Sequence, residues 1–125
     1  MGISFSRTIP ILRMFNVEKA KEFYIGYLGF HVDWEHKFEE VAPIYMQISR
    51  AGLELHLSEH YGDGTPGSAI YVEMTGVEEF HRELTEKNYG YLRPGLERTP
   101  WNTLCVNIID PFGNRIRFNE PLKQP

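Results

Sequence analysis

Ile9-Pro10-Ile11-Leu12-Arg13-Met14 and, sixty positions later, Ala69-Ile70-Tyr71-Val72-Glu73-Met74 are two versions of one segment. Both are short apolar runs rich in β-branched or aromatic residues, and both read as strands. Each runs into a helical pattern in the same register: Val17, Ala20, Tyr24 and Tyr27 in the first copy, Val77, Phe80 and Leu84 in the second. Asn16 is placed to cap the first helix, with Glu18 in its first turn, where negative charge suits the helix dipole. Gly76 holds the same place in the second, ahead of Glu78 and Glu79. Each helix is expected to stop at a glycine followed by an aromatic residue, Gly29-Phe30 and Gly90-Tyr91, because glycine accepts the left-handed conformation that closes a helix. The copies also end alike. Leu55-His56-Leu57-Ser58-Glu59 matches Ile116-Arg117-Phe118-Asn119-Glu120 at an offset of 61.

A repeat on this scale governs the fold. Each copy predicts a strand, a helix, then three strands. The later strands fall near His31–Phe38, Ile44–Arg50 and Leu53–Glu59, and near Leu96–Thr99, Thr103–Ile109 and Arg115–Glu120. Turn signals separate them: Ala51-Gly52, the glycine-rich run from Tyr61 to Gly67, and Asp110-Pro111-Phe112-Gly113-Asn114. The expected class is α+β, one domain over residues 1–125. It holds two tandem βαβββ modules, about 8–59 and about 68–120, with a linker at about 60–67. One such unit leaves a sheet face unburied, so two must associate, as curled mixed sheets around a cavity. A single unrepeated α+β sandwich is the alternative. A helical bundle is excluded by the shortage of helical periodicity.

Composition narrows the partners. In 125 residues, 42% hydrophobic and 24% charged, the balance is that of a globular domain. No apolar run approaches the ~20 residues of a membrane span, and Met1 to Ser6 shows no signal-peptide pattern. The lone Cys105 excludes an internal disulfide and fits a reducing cytoplasm. It lies among Leu104, Val106 and Ile108, so a buried structural thiol is expected rather than a nucleophile. A net charge of −4, with no block of Lys or Arg, argues against nucleic acid and leaves a neutral or cationic small molecule.

Val17-Glu18-Lys19-Ala20-Lys21-Glu22-Phe23-Tyr24, closing at Leu28-Gly29-Phe30, resembles the first-helix signature of the vicinal oxygen chelate superfamily, the glyoxalase, bleomycin-resistance and dioxygenase proteins. Asp110-Pro111-Phe112-Gly113-Asn114 resembles its Asp-Pro-x-Gly turn before the last strand. The resemblance covers about residues 8–120 and implies the glyoxalase/bleomycin-resistance-like fold, which hosts both enzymes and non-catalytic binders. Its enzymes hold a divalent metal through His and Glu at four positions. These fall here at Ile9, Ala69 (or Ser68, one residue earlier), His56 and Arg117. One of the four is a ligand type, and a permanent cation opposes a metal. With three protein ligands normally needed for a catalytic zinc, the expectation is no metal, no cofactor and no catalytic residue. A metal-dependent lyase, isomerase or dioxygenase using His56 is the alternative, and a protein-interaction module is a third.

The same resemblance is strongest to the bleomycin-resistance branch, which lacks the metal set, has an arginine at the Arg117 position, and has a tryptophan shortly before the seventh strand, as in Thr99-Pro100-Trp101-Asn102. That branch implies homodimers that sequester a glycopeptide antibiotic with flat rings and often a cationic tail. Flat apolar walls are therefore sought at Trp101 and Phe38, with Trp34 and Tyr45 beside them. Trp34 reads equally as core. Glu35, Glu39 and Glu40 flank Phe38 and are placed to attract a cation, although such clusters are usually solvated edges. His56, His60 and Arg117 complete the candidate ligand-binding set, either by touching a ligand or by closing a polar network, with Arg117 expected to pair with a carboxylate.

Overall fold

The computed structural model describes residues 2–38, 40, 43–90 and 92–123. The elements run in the expected order: β1 (Ile11–Arg13), α1 (Val17–Lys21) continuing as a π-helix over Glu22–Tyr27, β2 (His31–Lys37), β3 (Ile44–Arg50) and β4 (Leu53–Ser58). The second half repeats it: β5 (Ala69–Glu73), α2 (Val77–Lys87), β6 (Glu97–Arg98), β7 (Thr103–Ile109) and β8 (Arg115–Pro121). Each half forms an open four-stranded mixed sheet, β1-β4-β3-β2 and β5-β8-β7-β6, with the first strand parallel to the last and the other pairs antiparallel.

Local chemistry explains the boundaries. Asn16 accepts from the Lys19 N–H at 2.9 Å and caps α1 as expected. The first helix ends at Gly29, whose φ of +79° is open to glycine, and Arg50 lies where a Cβ would stand, 2.8 Å from its Nη1. The second helix ends two residues earlier than Gly90, at Asn88 with φ of +50°. Asparagine is the residue other than glycine that most readily takes this conformation. Tyr91, expected beside the stop, lies outside the described residues.

Strand alternation decides what each sheet buries. Leu12, Met46, Ile48, Leu55 and Leu57 of the first sheet point inward, as do Val106, Ile108, Ile116 and Phe118 of the second. They join Ala20, Phe23, Tyr24 and Tyr27 of the first helix and Val77, Phe80 and Leu84 of the second in one core. The two halves therefore meet through packed side chains, and the alternate residues of every strand face away from that contact. The sheets are open, and beside this core concavities lie at the seams between the halves, one lined by Phe30, Val72 and Phe80 and another by Phe15, Phe23 and Phe112.

Two polar ties lock this packing, one at each pseudo-equivalent place. The Tyr24 hydroxyl donates to Asp110 Oδ2 at 2.7 Å, linking the first helix to the β7–β8 turn. Arg50 makes a forked pair with Glu83 at 2.8 and 2.7 Å, linking the β3–β4 hairpin to α2. The Asp110 carboxylate also accepts the backbone N–H groups of Phe112 and Asn114 and the Asn114 side-chain amide. Asn114 in turn donates to the Arg13 carbonyl at 2.9 Å, so the turn reaches the first strand as well. Burial, then the Asp110 charge, pushes the Tyr24 hydroxyl well above its usual pKa, so it stays a donor throughout the physiological range.

Hydrogen bonds to a buried charge contribute about 1.5–3 kcal/mol, so Tyr24→Phe should destabilise the fold by about that much in urea unfolding. An unchanged midpoint would show that the tie is dispensable.

Candidate functional site

The outward face of the first sheet carries an aromatic platform. Trp34 on β2 stacks on Tyr45 on β3, ring centroids 5.9 Å apart and 11° from parallel. The edge of His56 on β4 meets both rings, at 5.3 and 5.1 Å. A bulge between Val32 and Trp34 creates this arrangement. The extra residue turns both Asp33 and Trp34 to the outward face and sends Glu35 to the other side. There Glu35 pairs with Lys21 of α1 at 2.8 Å. Glu35 is thus the one predicted site residue carried off the face. Trp34 is 44% exposed and so is not part of the core.

The polar groups of this face form a closed chain. Gln47 Nε2 donates to Asp33 at 3.0 Å and to Glu54 at 3.2 Å. Carboxylates only accept, so the Gln47 amide is fixed with Oε1 towards His56 Nε2, 2.9 Å away. That nitrogen must carry the proton, and Nδ1 of the neutral ring accepts from the Tyr45 hydroxyl at 2.6 Å. Asp33 further accepts from Ser49, and Glu54 pairs with Arg7. Burial lowers the His56 pKa, Arg7 lowers it further, and Glu54 opposes them. Burial, then Asp63, raises that of Tyr45. Gln47 and Asp33 were not among the residues expected here. Strand alternation places Gln47 beside His56, but the bulge that recruits Asp33 leaves no signature in the sequence.

Phe38 and His60 form a second contact at the end of this sheet, edge to face at 4.2 Å, with His36 on the other side of Phe38 at 4.6 Å. Phe38 is 53% exposed. Of the acids expected to flank it, Glu40 is exposed and Glu39 lies outside the described residues.

The outward face of the second sheet holds Trp101 and Arg117. Trp101, on the turn between β6 and β7, is 60% exposed and donates from Nε1 to the Tyr71 hydroxyl at 3.3 Å. Tyr71 sits on β5 directly across from Arg117 on β8, and Asn107 on β7 lies on the far side of Arg117. Tyr71 escaped the sequence reading because it belongs to an apolar run. Its outward direction follows from the exposed positions 69, 71 and 73. Arg117 was expected to need a carboxylate. It is exposed, and among the described residues its guanidinium makes no ion pair or hydrogen bond, since solvent removes the penalty that would demand one. Cys105 is buried, as expected, and burial raises its thiol pKa.

These residues do not fit the metal of the related enzymes. Both ring nitrogens of His56 are engaged, its partner across β1 is Ile11, and its counterpart on β8 is a cation. Among the described residues no three His, Cys, Asp or Glu side chains gather as a ligand group. Two concavities, of about 930 and 730 Å³, lie at the seams between the halves and hold none of the predicted site residues.

The profile of a family described as "Glyoxalase superfamily protein" matches residues 1–124. The chain belongs to the glyoxalase superfamily. No curated protein matches the sequence. Among solved structures, this glyoxalase-superfamily chain is similar to a bleomycin-binding protein complexed with bleomycin (20% identity, TM-score 0.69, 94% of this chain and 100% of that one). It is also similar to an antibiotic-binding protein, TnmS3, from Streptomyces sp. CB03234 (21%, 0.72, 97% and 100%). A glyoxalase-related enzyme from Clostridium phytofermentans shares the architecture as well (17%, 0.77, 97% and 98%). At such identities the likeness establishes the fold of this superfamily member and leaves its activity to the site.

In nitrogen-detected NMR, His56 should be the Nε2-protonated tautomer and titrate below the ordinary imidazole value of about 6.5. Folding favours the neutral ring, so its contribution to stability is complete above that value and is lost as pH falls through the lower native pKa. An Nδ1-protonated ring, or titration above the ordinary value, would contradict the hydrogen-bond chain.

Proposed function

We propose that the protein sequesters a flat, bleomycin-like antibiotic without transforming it, in a groove completed by two copies of the chain. The observation that carries this reading is the pair of outward aromatic surfaces, Trp34 on Tyr45 and Trp101 beside Tyr71. Covering an indole buries ~150–250 Å², which at ~25 cal/mol/Å² stabilises a complex by up to about 4–6 kcal/mol. Stacking adds about 0.5–1.5 kcal/mol. The bleomycin complex formed by a protein of the same fold supports the choice of ligand class.

The second copy enters for a physical reason. Each aromatic surface lies on an open sheet face, so one chain supplies a single wall to any ligand. Ile11 and Ile109 are also exposed on these faces, and β1 and β5 are edge strands with one neighbour each. Open edges and apolar faces call for a partner. A homodimer that sets the first sheet of one protomer opposite the second sheet of the other would enclose the ligand between two walls. For a cationic tail, Glu35 is already paired with Lys21, and Glu40 is the exposed acid among the described ones beside Phe38.

Calorimetric titration with bleomycin should give saturable heat, with Trp101→Ala weakening affinity about tenfold or more, a loss of about 1.4 kcal/mol. Absence of heat and of tryptophan quenching at high micromolar drug would overturn the proposal. Sedimentation should show a dimer at micromolar protein, and a monomer there would remove the shared groove.

A further inference from the structure

The two outward faces differ in which polar groups they have already used. On the first sheet, the Gln47 amide, both nitrogens of His56 and the carboxylates of Asp33 and Glu54 all have partners within the chain. That face offers a ligand a flat surface, with the Glu54 charge met by Arg7 and the Asp33 carboxylate held by the neutral Gln47 and Ser49. The second sheet is the reverse. Tyr71, Arg117 and Asn107 stand in one row across three adjacent strands, on one face, with neighbouring strands about 4.8 Å apart. The Tyr71 oxygen accepts from Trp101, which leaves its own O–H to donate. Asn107 Oδ1 faces the Cys105 thiol at 3.5 Å, which leaves its NH₂ to donate. Arg117 offers a planar fork of donors with no partner among the described residues. Glu73 and Glu97, the carboxylates nearest along this sheet, form no ion pair with it.

From this we infer that the row Tyr71–Arg117–Asn107 is an oxyanion subsite, and that the ligand is a planar ring system bearing a carboxylate or a comparably delocalised anionic oxygen. The inference rests on the proposed binding of a flat ligand and adds its polarity. The donors on this row are free, so an acceptor is its complement: a neutral oxygen pairs with them weakly and an anionic one strongly, while a cation meets Arg117 with like charge. An anionic oxygen finds a guanidinium that can grip it at two points, with a phenol and an amide on either side. Trp101, joined to Tyr71, places the ring plane next to the charge.

Three probes of similar shape test this by calorimetry: anthraquinone-2-carboxylate, anthraquinone-2-carboxamide and the cation 9-aminoacridine. The carboxylate should bind about tenfold or more tighter than the carboxamide, a charge-assisted forked contact being the difference. Arg117→Met should reduce that preference to about twofold or less, while Arg117→Lys keeps part of it, since a point charge remains without the fork. Arg117 is exposed, so these variants should melt with the parent. Equal binding of carboxylate and carboxamide, tighter binding of the cation, or a preference that survives Arg117→Met would overturn the oxyanion subsite and leave the flat-ligand reading standing. If none of the three binds, the oxyanion subsite falls, and the flat-ligand reading is decided by the bleomycin titration alone.

Discussion

The buried carboxylate of Asp110 is the constraint on which the architecture turns. It is 4% exposed and accepts from two backbone amides, one side-chain amide and the Tyr24 hydroxyl. Charge in such a place needs all of these donors, because leaving any of its lone pairs empty would cost several times what one more hydrogen bond contributes. Three of the donors lie within the turn that carries it, and the fourth comes from the opposite half of the chain. The turn can satisfy its own buried charge fully only when the first helix is docked against it. The Arg50–Glu83 pair performs the reciprocal docking at the surface, where solvent screening makes it the weaker of the two.

That docking has a functional consequence. With each helix facing the hairpin of the other half, the apolar faces of both sheets are consumed in one core, and the opposite faces are turned out. Residues that the repeat makes equivalent, His56 and Arg117, are thereby presented on two separate surfaces of one chain. Their chemistry has diverged accordingly. His56 is absorbed, as a neutral ring, into a hydrogen-bonded chain beside a stacked Trp–Tyr pair, while Arg117, beside Tyr71 and Trp101, has no partner among the described residues. The proposed groove for a flat ligand with a polar end uses this difference: stacked rings on one wall and spare donors on the other.

Much of the fold was legible because it was written twice. β3 and β7 run Ile44–Arg50 and Thr103–Ile109, the bounds expected from alternation alone, because their inward residues are apolar and their ends are marked by turn residues. The first strand is shorter than its apolar run, Pro10 having no N–H to extend the ladder. The π-helical stretch over Glu22–Tyr27 could not be read, since its buried stripe of Phe23, Tyr24, Tyr27 and Leu28 has the spacing of an ordinary α-helix. For the site, the residue types were legible and the side they face was not. Alternation groups Gln47 with Tyr45 but does not say whether that group looks into the chain or away from it. A single bulge residue reversed the sides of Trp34 and Glu35 relative to a regular strand. Such two-versus-one irregularities depend on the paired strand and have no local sequence mark.

A flat ligand enclosed in the proposed groove touches both outward faces at once. Trp34 and Trp101 are the two tryptophans of the chain, one on each face, so the two indole N–H signals of a nitrogen–proton NMR spectrum report on them separately. Titration with bleomycin should move both signals along a single saturation curve. If both stay still while the shifts gather around the seam residues Phe30, Met74 and Phe80, the ligand lies elsewhere and the account is wrong.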